Sequence, residues 1–151
     1  MGDADKRISV ERVIAAPAER IFDVLADPAQ HAAIDGSGTV KDARGDSPAR
    51  LSQGAKFGMS MRMGLPYRTA NTVVEFEEGR RIGWWHAAHN LWLYELEPTD
   101  DGTLVRESFD WSRSRAPWIL RPFGFLSRNR TGMEQTLERL DRHVTGSDAP
   151  R

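Results

Sequence analysis

Glu107 is the side chain best placed for acid–base chemistry. It lies in a strand-like segment, 103–111, at an alternating position that it shares with Val105, Phe109 and Trp111. Successive side chains of a strand point to opposite faces, so the alternation predicts a carboxyl group on an otherwise apolar, inward face. Burial without a partner is costly for a carboxylate and raises its pKa. Such a group suits general acid–base catalysis on an enolisable or aldol-type substrate.

Other roles for Glu107 stay open at this point. The carboxyl group can hydrogen-bond to a ligand, pair with Arg62 or Arg68, or lie in water if the strand register turns it outward. We place a structural role first, hydrogen bonding to a ligand second and catalysis third. Glu107 is therefore a ligand-binding candidate and a weak catalytic candidate.

Two histidines, His86 and His89, flank Ala87 and Ala88. A two-residue hairpin loop at these alanines would place the histidines opposite each other, with Cβ atoms roughly 5 Å apart. Such a pair could be half of a metal site or an acid–base pair. The sequence offers no obvious third ligand and contains no cysteine, so we favour a solvated turn and predict no metal site and no cofactor.

Two apolar groups of side chains could line a ligand pocket. Methionines alternate along segment 56–63, and methionine is flexible enough to accept varied apolar shapes. Aromatic side chains alternate along 91–97 and 103–111, and their rings suit a ring-containing ligand. The predicted ligand-binding residues are Phe57, Met59, Met61, Met63, Val74, Phe76, Trp92, Tyr94, Glu107, Phe109, Trp111, Met133 and Leu137. Ordinary core packing explains the same pattern and stays an alternative.

The first third of the chain reads as a strand followed by two short helices. Segment 8–15 alternates in part and predicts the strand. Pro17 suits the first turn of a helix, which Asp27 and Pro28 end. Asp27 can cap a second short helix that runs to about Ile34.

Six further strands are predicted at 39–43, 56–63, 68–77, 81–86, 91–97 and 103–111. In segment 68–77 the alternation predicts one face formed by Ala70, Thr72, Val74 and Phe76. Trp84 and Trp85 are adjacent, so only one of them can point inward, and the sequence does not fix which.

A long amphipathic helix is predicted from Gly132 onward. Met133, Leu137, Leu140 and Val144 form a stripe at helical spacing. Because such a helix is not stable alone, the stripe must cover the sheet. The element order predicts an α+β helix-grip fold: a seven-stranded curved antiparallel sheet, two short helices, and a long C-terminal helix over an apolar cavity.

Composition limits the class of protein. The 151 residues suit one domain, which we place at 8–145 with flexible tails at 1–7 and 146–151. The balance of 21 basic and 22 acidic residues argues against a nucleic-acid partner. No run approaches the roughly 18 apolar residues of a membrane span, and the first residues lack an apolar signal core. We predict a cytoplasmic protein without a transmembrane segment, as a monomer or homodimer.

Several segments, in this order, resemble the SRPBCC superfamily, in particular its polyketide cyclase/dehydrase and lipid-transport branch, which is related to START domains and the birch-pollen allergen. They are Ile8–Pro17, Arg20–Pro28, Asp35–Gly38, Tyr94–Pro98 and Phe109–Ser112. The resemblance covers roughly residues 8 to 145 and implies a deep apolar cavity under the last helix. The glycine-rich loop of the plant allergens is absent, and Arg44–Ala55 takes its place. The superfamily has no shared catalytic motif, so the resemblance does not decide whether the chain is an enzyme.

These observations predict a protein that binds a small apolar, ring-containing or lipid-like molecule, with a cyclase- or dehydrase-like step as a possible addition. The alternative is a non-enzymatic protein-interaction domain of the same fold with a filled core. Segment Ser114–Leu126 bears on both, because it is apolar, broken by proline and glycine, and accompanied by arginines. It could be a lid, a dimer contact, a membrane-surface contact or the kinked start of the long helix.

Overall fold

The computed structural model describes residues 6–35, 40–43, 48–63, 65–86, 90–113 and 125–146, and at 32, 40–43, 59–63, 65–69, 86 and 125–128 only the backbone. It confirms the predicted fold class, a helix-grip arrangement of one curved antiparallel sheet and a long C-terminal helix. The strands are β1 (Arg7–Ile14), β2 (Val40–Ala43), β3 (Lys56–Met63), β4 (Leu65–Glu77), β5 (Arg81–His86), β6 (Asn90–Thr99) and β7 (Gly102–Asp110). The helices are α1 (Ala18–Leu25), α2 (His31–Ile34) and α3 (Phe125–Thr145).

The first and the last strand of the chain are neighbours in the sheet. Its order is β1-β7-β6-β5-β4-β3-β2, so the chain forms a meander from β2 to β7 and then pairs β7 with the first strand. Every neighbouring pair is antiparallel, which lets residues directly opposite each other share a face. Ile8, Val10 and Ile14 are buried as the alternation of β1 predicted.

The link between β1 and β2 contains the two short helices. Pro17 is the N-cap of α1, and Ile21, Phe22, Val24 and Leu25 bury one face of the helix. The Asp27 carboxylate accepts a hydrogen bond from the Ala29 backbone N–H at 3.0 Å and so caps the single 3-10 turn that precedes α2. The predicted cap at Asp27 is therefore confirmed.

Helix α3 covers one face of the sheet. Its predicted stripe is confirmed, since Met133, Leu137, Leu140 and Val144 are all buried. Polar contacts at its exposed edges hold it over β1 and the short helices: Arg12 Nε lies 2.7 Å from Asp141 Oδ2, Arg130 donates to the Ser9 carbonyl, and His143 donates to Gln30 Oε1. These contacts fix the position of α3 along the sheet.

The predicted start of α3 was wrong by seven residues. The helix begins at Phe125 rather than at Gly132. Segment 125–131 contains no proline, and its polar residues are compatible with a helix even though they show no apolar stripe. Most of the Ser114–Leu126 segment, namely 114–124, lies outside the described residues.

The predicted inward face of β4 was also wrong in part. The register shifts between Val73 and Glu75, so Val74 is the extra residue of a β-bulge. Val73 is fully buried opposite Trp84, whereas Val74 is only half-buried and does not belong to the core. The bulge returns Phe76 to the inner face, where it packs against the core as predicted.

Within the described residues, no helix is long and apolar enough to cross a lipid bilayer.

Candidate functional site

The centre of the candidate site is a glutamate–tyrosine pair on adjacent strands. Glu107 of β7 lies directly opposite Tyr94 of β6 and, on its other side, opposite Val10 of β1. Alternation places all three on the face that α3 covers. Glu107 is only 2% exposed and Tyr94 6%. The parity argument from sequence therefore placed this carboxyl group correctly on the inner face.

The surroundings of Glu107 favour its neutral form. Burial raises the pKa of the carboxyl group well above its ordinary value, the Tyr94 hydroxyl opposes this by donating a hydrogen bond to it, and the negative charge of Asp35 raises the pKa further. Burial has the largest effect, so the protonated form is favoured more strongly in Glu107 than in an exposed glutamate. Burial and the two nearby carboxyl groups raise the pKa of Tyr94 as well, so its hydroxyl also stays protonated.

One oxygen of Glu107 makes no hydrogen bond to the described residues. This oxygen, Oε1, is buried. The predicted alternative of a salt bridge with Arg62 or Arg68 involves side chains that lie outside the described part of the chain. A neutral carboxyl group can accept a hydrogen bond from Tyr94 and donate its own proton to another oxygen. The pair can therefore bind a carbonyl oxygen or protonate one.

An aromatic cluster lies beside this pair on β5 and β3. Trp84 faces inward, which settles the choice between the adjacent tryptophans, and its ring is 5.9 Å from Tyr94 and 5.4 Å from Phe57. His31 of α2 stacks on Trp84 with ring centroids 5.3 Å apart. Its Nε2 donates to the Leu25 carbonyl at 2.9 Å. Burial lowers the pKa of His31, although this hydrogen bond opposes the effect, so the ring is neutral.

A second aromatic group extends along β7 beyond Glu107. The ring centroid of Phe109 lies 4.6 Å from that of Trp92 and 5.9 Å from that of Trp111. Phe109 is buried, whereas the two tryptophans are only partly buried and pack against the core. Partly buried indole rings next to a buried carboxyl group can offer apolar contact surface to a bound ring.

The structure brings together most of the predicted ligand-binding residues. Phe57, Phe76, Trp92, Tyr94, Glu107, Phe109, Trp111, Met133 and Leu137 all lie in or against the core between the sheet and α3. Val74 does not, because the bulge in β4 removes it from the inner face. The backbone register pairs Met59, Met61 and Met63 with Thr69, Tyr67 and Leu65, but the methionine side chains lie outside the described part.

Sequence reasoning missed two contributors to the site. His31 was noted without a partner, because its stacking on Trp84 depends on how α2 folds back over the sheet. Asp35 ends α2 close enough for its charge to act on both Glu107 and Tyr94. Neither contact has a signal in local sequence, since each joins residues more than fifty positions apart.

The two-residue hairpin loop that would place His86 opposite His89 is not formed. His86 pairs with Asn90 across the β5–β6 hairpin, so three residues rather than two separate the strands. His89 itself lies outside the described residues. Among the residues that the structure does describe, no three histidine, aspartate or glutamate side chains cluster as a metal site would require.

Residues 5–145 match the family described as "Polyketide cyclase / dehydrase and lipid transport". The uncharacterised protein Rv0088 of Mycobacterium tuberculosis is 36% identical over 149 residues, which cover 93% of this chain and 65% of the relative. The chain thus spans 65% of the length of the curated relatives that it matches.

Solved structures share the fold at low sequence identity. The AHSA1-like protein from Aeromonas hydrophila has a TM-score of 0.69 at 19% identity, with 96% of each chain covered. Protein Ms6760 from Mycobacterium smegmatis has a TM-score of 0.73 at 16% identity, covering 97% of this chain and 95% of the other. At these identities the likeness shows the fold alone.

Proposed function

This chain belongs to the polyketide cyclase/dehydrase and lipid transport family, and we propose that it binds a small apolar, ring-containing molecule between its sheet and α3. One observation carries the proposal: Glu107 is almost fully buried, and its Oε1 has no partner among the described residues. An unsatisfied buried polar atom costs about 1–3 kcal/mol. A ligand oxygen at Oε1 would remove that cost, which a protein folded only for stability would have no reason to bear.

The aromatic residues supply the apolar part of the proposed contact. Trp92, Phe109 and Trp111 form a continuous series of rings that extends from the carboxyl group along β6 and β7. Ring-to-ring contacts are favourable beyond the area that they bury. The proposed ligand places a ring against this series and a carbonyl oxygen at Glu107. Met59, Met61 and Met63 remain proposed lining residues on β3.

The same contact supports acid chemistry as an extension of binding. The proton of Glu107 would pass to the ligand carbonyl oxygen, and the Tyr94 hydroxyl would stabilise the carboxylate that forms, as it already donates to this group. A cyclase- or dehydrase-like step would begin in this way. Binding does not depend on it, so we place the binding role first.

Acetylnaphthalene, a fused ring system with one carbonyl group, is a suitable probe of this proposal. By isothermal titration calorimetry we expect saturable binding with one site per chain. Trp92→Ala should raise the dissociation constant about tenfold, because the loss of an aromatic contact costs about 1–1.5 kcal/mol of binding free energy.

Trp85→Ala is the matched control for this titration. Trp85 is a partly buried tryptophan like Trp92, but it pairs with Leu91 on the opposite face of the sheet. Its replacement should change the dissociation constant less than about twofold. Absence of saturable binding, or equal weakening by the two variants, would refute the proposal.

A further inference from the structure

The first half of α3 contains a second buried polar atom that lacks a partner. Asn129 Nδ2 is buried and makes no hydrogen bond within the described part of the chain. Asn129 precedes Met133 by four positions, and residues four apart lie on the same face of a helix. Met133 is 1% exposed and packs in the core. The amide of Asn129 therefore extends the inward stripe of α3 by one turn.

Asn129 serves neither the helix nor the core in a way that would explain its presence. Asparagine in a helix interior is less favourable than alanine or leucine. A buried amide nitrogen without an acceptor also destabilises the folded state. Both costs would disappear if leucine stood at this position. The amide therefore resembles Glu107 in presenting an unused hydrogen-bonding atom to the interior.

The position of Asn129 along the sheet follows from its neighbour in sequence. Arg130 Nη1 donates to the Ser9 carbonyl at 3.3 Å, which places this turn of α3 beside the Ser9 end of β1. Ser9 pairs with Ser108, and Ile8 pairs with Phe109. Asn129, the neighbour of Arg130, thus lies on the turn of α3 beside this end of the β1–β7 pair, in which Glu107 also lies.

We propose that Asn129 and Glu107 bind the two polar ends of one ligand, an apolar ring compound that carries two acceptor oxygens. The inference rests on the proposed function and deepens it. The Asn129 amide and the neutral carboxyl group of Glu107 are both hydrogen-bond donors, so each selects an oxygen with a free lone pair. The rings of Phe109 and Trp92, whose centroids lie 4.6 Å apart, would contact the apolar middle of the ligand.

Two probes that differ by one methoxy group test this proposal by calorimetry. The first is acetylnaphthalene, and the second adds a methoxy group at the far end of the fused rings. The wild-type protein should bind the methoxy probe about fivefold more tightly, the value of one net hydrogen bond. In Asn129→Ala this gain should vanish while the affinity for acetylnaphthalene changes less than about twofold.

Gln135→Ala provides the control on the same helix, because Gln135 is exposed. This variant should keep the fivefold gain. Loss of the gain in Gln135→Ala, its persistence in Asn129→Ala, or its absence in the wild type would overturn the role of Asn129. Failure of acetylnaphthalene itself to bind the wild type would instead refute the proposed function, and binding of acetylnaphthalene by Asn129→Ala reports that the variant is folded.

Discussion

Gly102→Ala should lower the free energy of unfolding by about 3 kcal/mol or more. A loss much larger than this would prevent the variant from folding. Gly102 opens β7 with φ at 135°, a backbone conformation that L side chains rarely adopt. A Cβ atom there would lie 2.1 Å from the Ile14 carbonyl oxygen and 2.9 Å from Ala15 Cα. Both are backbone atoms at the end of β1, so neither can move aside as a flexible side chain could. Urea unfolding followed by tryptophan fluorescence measures the loss.

Gly79→Ala separates the steric clash from the cost of the left-handed backbone. Gly79 also has a positive φ, 77°, but a Cβ atom there would meet nothing within 4 Å. Its replacement should cost only about 1 kcal/mol. Equal losses in the two variants would show that the close approach of β7 to the end of β1 does not exist. That approach lies at the end of the β1–β7 pairing, in which Glu107 is opposite Val10.

Glu107→Gln should become more stable than the wild type as the pH rises. The pKa of Glu107 is raised in the folded protein, mainly by burial, so the folded state retains a proton that the unfolded chain has lost. Between the ordinary pKa of glutamate, about 4.3, and the raised one, the wild type therefore loses about 1.4 kcal/mol of stability per pH unit. Glutamine is neutral at every pH and avoids this loss. The two proteins should have similar stabilities near pH 4, and the advantage of Glu107→Gln should grow as the pH rises from there.

Urea unfolding from about pH 4 to pH 8 measures this difference, with Glu134→Gln as the control. Glu134 is exposed on α3, so its replacement should leave the pH dependence of stability nearly unchanged. A constant difference between Glu107→Gln and the wild type across this range would mean that Glu107 is ionised in the folded state. The proposed hydrogen bond from its proton to a ligand oxygen would then be wrong.

The sequence predicted the order of the elements because each has a strong local signal. Alternation identified β3 and β5 at their observed bounds, and helical spacing identified the buried stripe of α3. The errors occurred where local pattern does not determine geometry. A β-bulge at Val74 shifts the inward face of β4, and nothing in the alternation of 68–77 marks it. The start of α3 was missed because its first turns have no apolar stripe in the sequence.

In the candidate site, too, local pattern predicted some features and the three-dimensional structure was needed for others. Parity alone placed Glu107 inward, and the aromatic series on β6 and β7 followed from the same argument. The partner of the carboxyl group could not be predicted, because it depends on the register between β6 and β7, which puts Tyr94 opposite Glu107. Asn129 lies before the predicted helix in a run of polar residues, so its place on the inward face became visible only when α3 was seen to begin at Phe125.

The central claim is that an apolar ring binds between the sheet and α3, and indole N–H signals in a heteronuclear NMR titration test it most directly. With acetylnaphthalene, the account predicts saturable shifts of the Trp92 and Trp111 signals, because both rings line the proposed contact. The Trp85 signal should stay in place, because this residue pairs with Leu91 on the other face of the sheet. No saturable shift, or shifts confined to Trp85, would contradict the account and favour a domain of the same fold with a filled core.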